Sequence, residues 1–246
     1  MQSLSPTVSV VVPTFNESQN LPHLVGLLDK ALGDTPWEVV FVDDNSPDGT
    51  WKVAKQLAKD DGRVRCIRRV GRRGLAGACI EGALSSAAPY VAIMDADLQH
   101  DETILPAMLA KLQNDDADIV IGSRFAGAGS SKGGFSARRA FASRVATRLA
   151  AFIIGRQVSD PMSGFFALKR EVFESVAPSL VPSGFKILLD ILASTRGQMR
   201  VAEVGYRFRS RQEGLSKFDM RAILDFSGFC CIARQAAQSR SASCSS

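Results

Sequence analysis

Residues 8–44 read VSVVVPTFNESQNLPHLVGLLDKALGDTPWEVVFVDD. Val8–Val12 is a valine-rich run closed by Pro13. Asn16 or Glu17 opens a stretch in which Leu21, Leu24, Val25, Leu28 and Leu32 recur with the helical period, and Gly33 ends it. Val39–Val42 is a second apolar run, and it breaks straight into Asp43-Asp44. A strand, a helix and another near-continuously apolar strand are the signature of a parallel sheet buried on both faces.

The alternation continues outward from this unit. Val53, Leu57 and Ala58 mark a helix, Val64–Ile67 a strand and Ala76–Leu84 a helix of small residues. Val91–Met94 is a fourth strand, Ile104, Met108, Leu109 and Leu112 share a helix face, and Ile119–Ile121 is a fifth strand. After Arg124 the pattern changes to a Gly/Ser loop over Gly127–Gly134 and a long basic amphipathic helix over Ala137–Gly155. Phe165–Leu168 and Val201–Phe208 read as strands, with a helix near Ile187–Ser194 between them and another over Ala222–Ile232. Residues 1–232 are read as one α/β domain with a single, mostly parallel central sheet and helices on both faces. Residues 233–246, poor in apolar side chains and rich in Ser, are read as a flexible tail.

The net charge of +5 suits an anionic ligand or membrane surface, but no basic reading element points to nucleic acid. Five cysteines without paired Cys-x-x-Cys spacing argue against a disulfide framework or a zinc site, and suit a reducing compartment. No stretch approaches the roughly 18 apolar residues of a spanning helix, so membrane contact is expected to be peripheral, on the cytosolic face. Phe141, Val145, Leu149, Phe152 and Ile153 share one face of the basic helix, which packs on the core or lies in an interface. Phe226 to Ile232 is a second candidate contact.

In open parallel sheets ligands bind beyond the carboxyl ends of the strands. The first strand ends in Pro13-Thr14-Phe15-Asn16-Glu17, the second in Asp43-Asp44-Asn45-Ser46-Pro47-Asp48-Gly49, and the fourth in Asp95-Ala96-Asp97-Leu98-Gln99-His100. Carboxylates gathered on one rim repel unless a cation or a set of donors sits among them. If the segment stays extended, Asp95, Asp97 and Gln99 point the same way and form a hard oxygen set suited to Mg²⁺ or Mn²⁺. Alternatively, Asp97 caps the following helix and Asp95 only ends a strand. Ser46 to Gly49 also reads as an Asx-rich turn. The glycines of Gly71–Gly77 lack dinucleotide-fingerprint spacing, so close helix packing and amides offered to a substrate are expected there.

Together these segments resemble the inverting family-2 glycosyltransferases of the GT-A fold, in the dolichol- or polyprenol-phosphate mannose synthase branch. Gly122-Ser123-Arg124, Asp160-Pro161-Met162-Ser163-Gly164-Phe165 and Arg211-Gln212-Glu213-Gly214-Leu215-Ser216-Lys217 extend the likeness over about residues 8 to 225. The resemblance implies that Pro13, Phe15, Glu17, Val42 and Asp44 hold the nucleoside. It implies that Asp95, Ala96 and Asp97 meet the donor, with Asp97 and Gln99 as main metal ligands and Asp95 nearby. Arg124, Arg211 and Lys217 then meet phosphates. Phe15 stands where the family usually has Tyr, which keeps base stacking but removes a phenol hydrogen bond.

The implied reaction moves a hexose, most simply mannose from GDP-mannose, onto a polyprenyl monophosphate at a membrane surface, with a membrane-anchoring partner subunit possible. An acceptor phosphate is already anionic and needs little general-base help, in keeping with only His23 and His100 in the chain. Two alternatives stay open. One is a family-2 transferase using a UDP-sugar with a lipid-phosphate or saccharide acceptor. The other is a non-catalytic nucleotide-sugar-binding subunit of a membrane complex.

Overall fold

The computed structural model describes residues 5–126, 158–184, 186–195 and 197–209. In chain order the elements are β1 (Val8–Thr14), α1 (Asn20–Leu32), β2 (Trp37–Asp43), α2 (Thr50–Asp60), β3 (Val64–Arg68), α3 (Leu75–Leu84) and β4 (Tyr90–Ile93). A short 3₁₀ turn then leads into α4 (Leu105–Gln113), followed by β5 (Ile119–Ser123), β6 (Phe166–Lys169), α5 (Arg170–Val176), α6 (Ile187–Ser194) and β7 (Val201–Gly205). The expected Gly/Ser loop, the basic helix over 137–155, the helix over 222–232 and the tail lie outside the described residues.

The strands form one seven-stranded sheet in the order β3-β2-β1-β4-β6-β5-β7. All neighbouring pairs are parallel except those of β6, which runs antiparallel to both β4 and β5. Strand alternation divides the core. Val10 and Val12 face α1 and α4 through Leu21, Leu24, Leu28 and Met108, whereas Val11, Val40 and Val42 face α3, α5 and α6. The small-residue composition of α3 has a direct cause: a Cβ at Gly82 would sit 2.4 Å from Val11 Cγ1 and 2.8 Å from Val42 Cγ2. Only glycine lets this helix lie so close to β1 and β2.

The connection β1–α1–β2 covers one face and β3–α3–β4 the other, so β1 and β4 flank a topological switch point. Pairing of β1 with β4 runs from Val8↔Tyr90 to Val11↔Ile93, while pairing with β2 continues to Thr14↔Asp43. Pro13 has no N–H to donate, and the β1–β4 ladder stops before it. The sheet therefore opens between β1 and β4 just before Asp95.

Candidate active site

The parallel order brings the carboxyl ends of β1, β2 and β4 side by side, as the sequence reading required. The loops after β1 and β2 are bound to each other. The backbone amides of Asn16, Glu17 and Ser18 donate to Ser46 Oγ (3.0 Å), Thr50 Oγ1 (2.9 Å) and Asp48 Oδ2 (3.2 Å). Asp48 is thereby held below its ordinary range: hydrogen bonds from Thr50 and Ser18 together outweigh the opposing effect of burial. Asp43 is fully buried and accepts from Ser46 N (2.9 Å), Ser46 Oγ (2.5 Å) and Thr14 Oγ1 (3.1 Å). The Asx-turn reading of 46–49 is correct, and the same turn also positions the Phe15–Glu17 segment.

Asp44 has a partner that the sequence reading missed. Its Oδ1 accepts from Arg69 Nη1 at 2.6 Å and its Oδ2 accepts from the Gly74 amide at 2.8 Å. Arg69 is buried, and its Nε also donates to Glu81. The Gly71–Gly77 segment does allow close packing, since a Cβ at Gly77 would lie 2.6 Å from Arg69 Nη2. The Gly74 amide, however, serves Asp44, which corrects the expectation that it is offered to a substrate. Pro13 and Glu17 are half-buried beside this platform, and Arg73 lies 5.1 Å from the Phe15 ring centroid. The Val42 side chain is wholly buried against α3, so only its backbone is available to a ligand.

After β4 the chain does not stay extended: residues 96–98 bend, and Leu98 has φ 61°. A left-handed leucine is strained backbone of the kind that collects at functional sites. Alternation nevertheless survives the bend. Asp95, Asp97 and Gln99 are partly exposed while Ala96, Leu98 and His100 are buried. Asp97 Oδ1 accepts from the Gln99 amide at 3.2 Å. Gln99 Nε2 donates to the Arg209 carbonyl at 3.2 Å, which leaves the amide oxygen as the acceptor end of that side chain.

His100 was not singled out as a functional residue by its type, yet it organises the site. Its Nε2 lies 3.2 Å from Asp95 Oδ2 and its Nδ1 lies 2.7 Å from Tyr206 Oη. The ring packs among Phe165, Tyr206 and Phe208. Burial pushes the Tyr206 hydroxyl well above its ordinary range, so it keeps its proton. Tyr206 donating to Nδ1 and Nε2–H donating to Asp95 satisfies every group; the tautomer is assigned from this network. Gly164 closes the other side: a Cβ there would sit 2.5 Å from Asp95 Oδ2.

Arg124 stands at the end of β5, where Asp160 takes its Nε at 2.7 Å and its Nη2 at 2.8 Å. This clamp raises the guanidinium above its ordinary pKa, and the Asp95 carboxylate adds to the effect. Asp160 and Gly164, which the sequence marked only by the family likeness, thus act on Arg124 and Asp95 respectively. Arg209 also escaped the sequence reading; it ion-pairs with Glu102 (2.7 Å) and Asp101 (3.0 Å) and helps to hold the Gln99 segment. Asp95, Asp97, Gln99 and Arg124 therefore line one mouth, with Pro13, Phe15, Glu17 and Asp44 on the adjoining platform. Arg211 and Lys217 lie outside the described residues.

Among the described residues no cluster of three or more His, Cys, Asp or Glu side chains forms a ready-made metal cage. Two carboxylates and an amide oxygen make a partial hard-oxygen shell, the kind that substrate phosphates complete around Mg²⁺ or Mn²⁺. The fixed Gln99 amide, the His100 hydrogen bond to Asp95 and the bare Gly164 backbone fit that use.

Residues 9–177 match the family model described as glycosyl transferase family 2. The dolichol-phosphate mannosyltransferase of Pyrococcus furiosus is 38% identical over 89% of the chain, which spans 61% of that relative's length. The dolichol-phosphate mannosyltransferase of Mycosarcoma maydis is 34% identical over 91% of the chain and 78% of the relative. Among solved structures, glucosyl-3-phosphoglycerate synthase from Mycobacterium tuberculosis, in complex with Mn²⁺, UDP-glucose and phosphoglyceric acid, superposes with a TM-score of 0.64. It is 19% identical, with 85% of this chain and 73% of that one covered, a likeness of fold.

Proposed function

The chain belongs to glycosyl transferase family 2 and has a GT-A-like fold, and we propose that it moves mannose from GDP-mannose onto a polyprenyl monophosphate. The observation that supports this reading is that Asp95, Asp97 and Gln99 share the partly exposed side of the segment after β4, at the β1/β4 opening, with Asp95 close enough to the clamped Arg124 to act on its charge. The curated relatives are named for mannosyl transfer involving dolichol phosphate, and the family model spans residues 9–177, which include that opening.

Pro13, Phe15, Glu17, Asp44 and the backbone of Val42 form the nucleoside platform, with Ala96 at the foot of the donor. Asp97 and Gln99 would hold one Mg²⁺ or Mn²⁺ with Asp95 alongside, and the chemistry such a cation would supply is offsetting of charge on the departing diphosphate. Asp95 is kept in place by His100 and by contact with Gly164. Arg124 has Nε and Nη2 engaged by Asp160, so it meets phosphate oxygens already oriented, with Nη1 outside the clamp. Arg211 and Lys217 supply further positive charge against two phosphate-bearing substrates. An acceptor phosphate oxygen attacks the anomeric carbon in line and the bond from that carbon to the nucleoside diphosphate breaks, inverting the centre. The attacking oxygen is anionic at neutral pH, so positioning and charge stabilisation are what remain for the protein.

The reading also places the chain at the surface of a membrane, peripherally. Among the described residues no helix is long and apolar enough to cross one. The test is a panel of radiolabelled GDP- and UDP-sugars offered with polyprenyl phosphate. Lipid-extractable, acid-labile label from GDP-mannose supports the proposal. Label that enters lipid only from a UDP-sugar, or only a saccharide, overturns the donor or the acceptor respectively.

A further inference from the structure

The described residues expose four large apolar side chains: Val70 (64% exposed), Leu84 (52%), Phe125 (52%) and Val181 (41%). Leu84 ends α3 at the amino edge of the sheet. The other three stand on the opposite rim, where the active-site mouth opens. Val70 is in the loop after β3 and Phe125 follows the end of β5. Val181 belongs to a loop whose Pro182 and Gly184 carbonyls accept from Gly77 N (2.9 Å) and Ala76 N (3.1 Å) at the start of α3.

The loop carrying Val70 reads Arg68-Arg69-Val70-Gly71-Arg72-Arg73, and every residue of it except Arg69 is exposed. Gly71, at φ 73°, turns the chain at its tip. Arg69 faces inward to Asp44, so the loop is anchored while its tip projects. Beside it, Trp51 sits among cations: Arg68 lies 3.8 Å from its ring, Lys55 5.4 Å and Lys52 5.5 Å. Arg68 is fixed over the ring by Asn45, which accepts from its Nε at 2.8 Å. Lys52, Lys55, Arg68 and Arg73 have no carboxylate partner among the described residues, and Arg72 shares Glu81 with Arg69. An open depression of about 400 Å³ lies between Asn45, Trp51, Lys52, Arg68 and Arg73.

A projecting valine, a tryptophan at the boundary and a ring of unpaired cations are what an anionic bilayer surface receives: the apolar tip enters the headgroup layer and the cations meet lipid phosphates. We propose that the Val70 loop together with the Trp51 patch is a docking surface for anionic phospholipid, and that it sets the active-site mouth towards the bilayer. The inference rests on the proposed lipid-phosphate acceptor for its purpose, since a mouth turned towards the membrane meets an acceptor whose chain is buried there. Its geometry stands without that reading.

The test is sedimentation of the full chain with vesicles of phosphatidylcholine alone or with added phosphatidylglycerol, in the absence of donor and acceptor. The triple variant Lys52→Glu/Lys55→Glu/Val70→Asp is expected to bind the anionic vesicles at least about tenfold more weakly than wild type. A matched control at the opposite edge, Lys30→Glu/Lys59→Glu/Leu84→Asp, carries the same charge change and is expected to bind as wild type. Brominated lipid in the vesicles is expected to quench tryptophan emission in wild type but not in Trp51→Phe, which reads the patch itself whatever other segments contribute. Equal loss in both triple variants, or no Trp51 quenching in bound protein, overturns the proposal. So does competition by inorganic phosphate without quenching, which would make the depression a free-anion site. Transfer to detergent-dispersed acceptor reports on the catalytic reading separately: a chain that docks but transfers nothing sinks that reading and leaves the surface standing.

Discussion

At the scale of single residues, Asp95 is defined by what surrounds it. His100 donates to one of its oxygens and Gly164 leaves room for that oxygen. Partners behind metal-ligating groups commonly tune affinity by about 10–100-fold. His100→Ala is therefore expected to weaken Mn²⁺ binding in the presence of GDP by that order, with Tyr206→Phe intermediate. Electron paramagnetic resonance of free Mn²⁺ reads this without turnover, and unchanged binding in both variants would remove His100 from the site. Gly164→Ala places a methyl 2.5 Å from Asp95 Oδ2 and must displace it. A misplacement of this kind costs on the order of a hundredfold in kcat/KM, while the thermal midpoint should move little because the Asp95 side chain is 41% exposed and can swing aside.

The residues that could be read in advance were those whose type and spacing suffice. Asp95, Asp97 and Gln99 could be read as one partly exposed set because side chains alternate along the segment, and that alternation of exposure persists through the bend at Leu98. Arg69 was not legible: it is one of four arginines in six residues, and its burial depends on Asp44, which arrives from another strand. The usable signal was pairwise. Parallel pairing of β2 with β3 sets Asp43 opposite Arg68, so the next acid and the next base meet. Tyr206 and Arg209 were hidden because the apolar run over 201–208 read as one strand. It stops at Gly205, after which the chain crosses the mouth and the Arg209 amide donates to the Gln99 carbonyl at 2.9 Å.

Among elements, α1 shows how a site overrides a helix start. The sequence favoured Asn16 or Glu17, but α1 begins at Asn20. The amides of Asn16, Glu17 and Ser18 are taken by the loop after β2 and by Thr50 at the start of α2 instead. Close packing of α3 on the sheet gives a direct stability test. Gly82→Ala drives a methyl into Val11 and Val42, and overpacking of this kind costs about 1–3 kcal/mol, more than the gain of alanine in a helix. Urea unfolding should show the midpoint falling at unchanged slope; a stabilised variant would mean that α3 sits further from β1 and β2.

A second element-level test lies at the far edge of the sheet. Arg200, just before β7, and Lys169, at the end of β6, both pair with Asp118 and Asp115. Hydrogen bonds from Arg200, with help from Lys169, hold both carboxyls well below the usual carboxylate range. A depressed folded-state pKa gives stability that is full above the unfolded value and lost as pH falls towards the folded one. Asp118→Asn should therefore lower stability at neutral pH by no more than about 1 kcal/mol, since the pair is solvent-screened. The gap to wild type should close only below about pH 4. A gap that closes on raising the pH instead would mean the carboxylate is not the stabilising form.

For the molecule as a whole, alternating apolar runs and helical faces identified the sheet and its two covered faces. They did not reveal that β6 inserts antiparallel between β4 and β5, because a strand's apolar pattern does not record its direction. The order of the first four strands is what matters for chemistry, since it opens the sheet at β1 and β4 and gathers three strand ends there. That opening can be tested directly by transfer of radiolabelled mannose from GDP-mannose to polyprenyl phosphate, by wild type and Asp97→Ala, with Mn²⁺ or with EDTA. Lipid-extractable label is expected with wild type and Mn²⁺ alone, reduced by at least about a thousandfold in the variant and in EDTA. Full transfer by Asp97→Ala, or transfer that EDTA leaves intact, would show that the rim formed by Asp95, Asp97 and Gln99 is not where the sugar is moved.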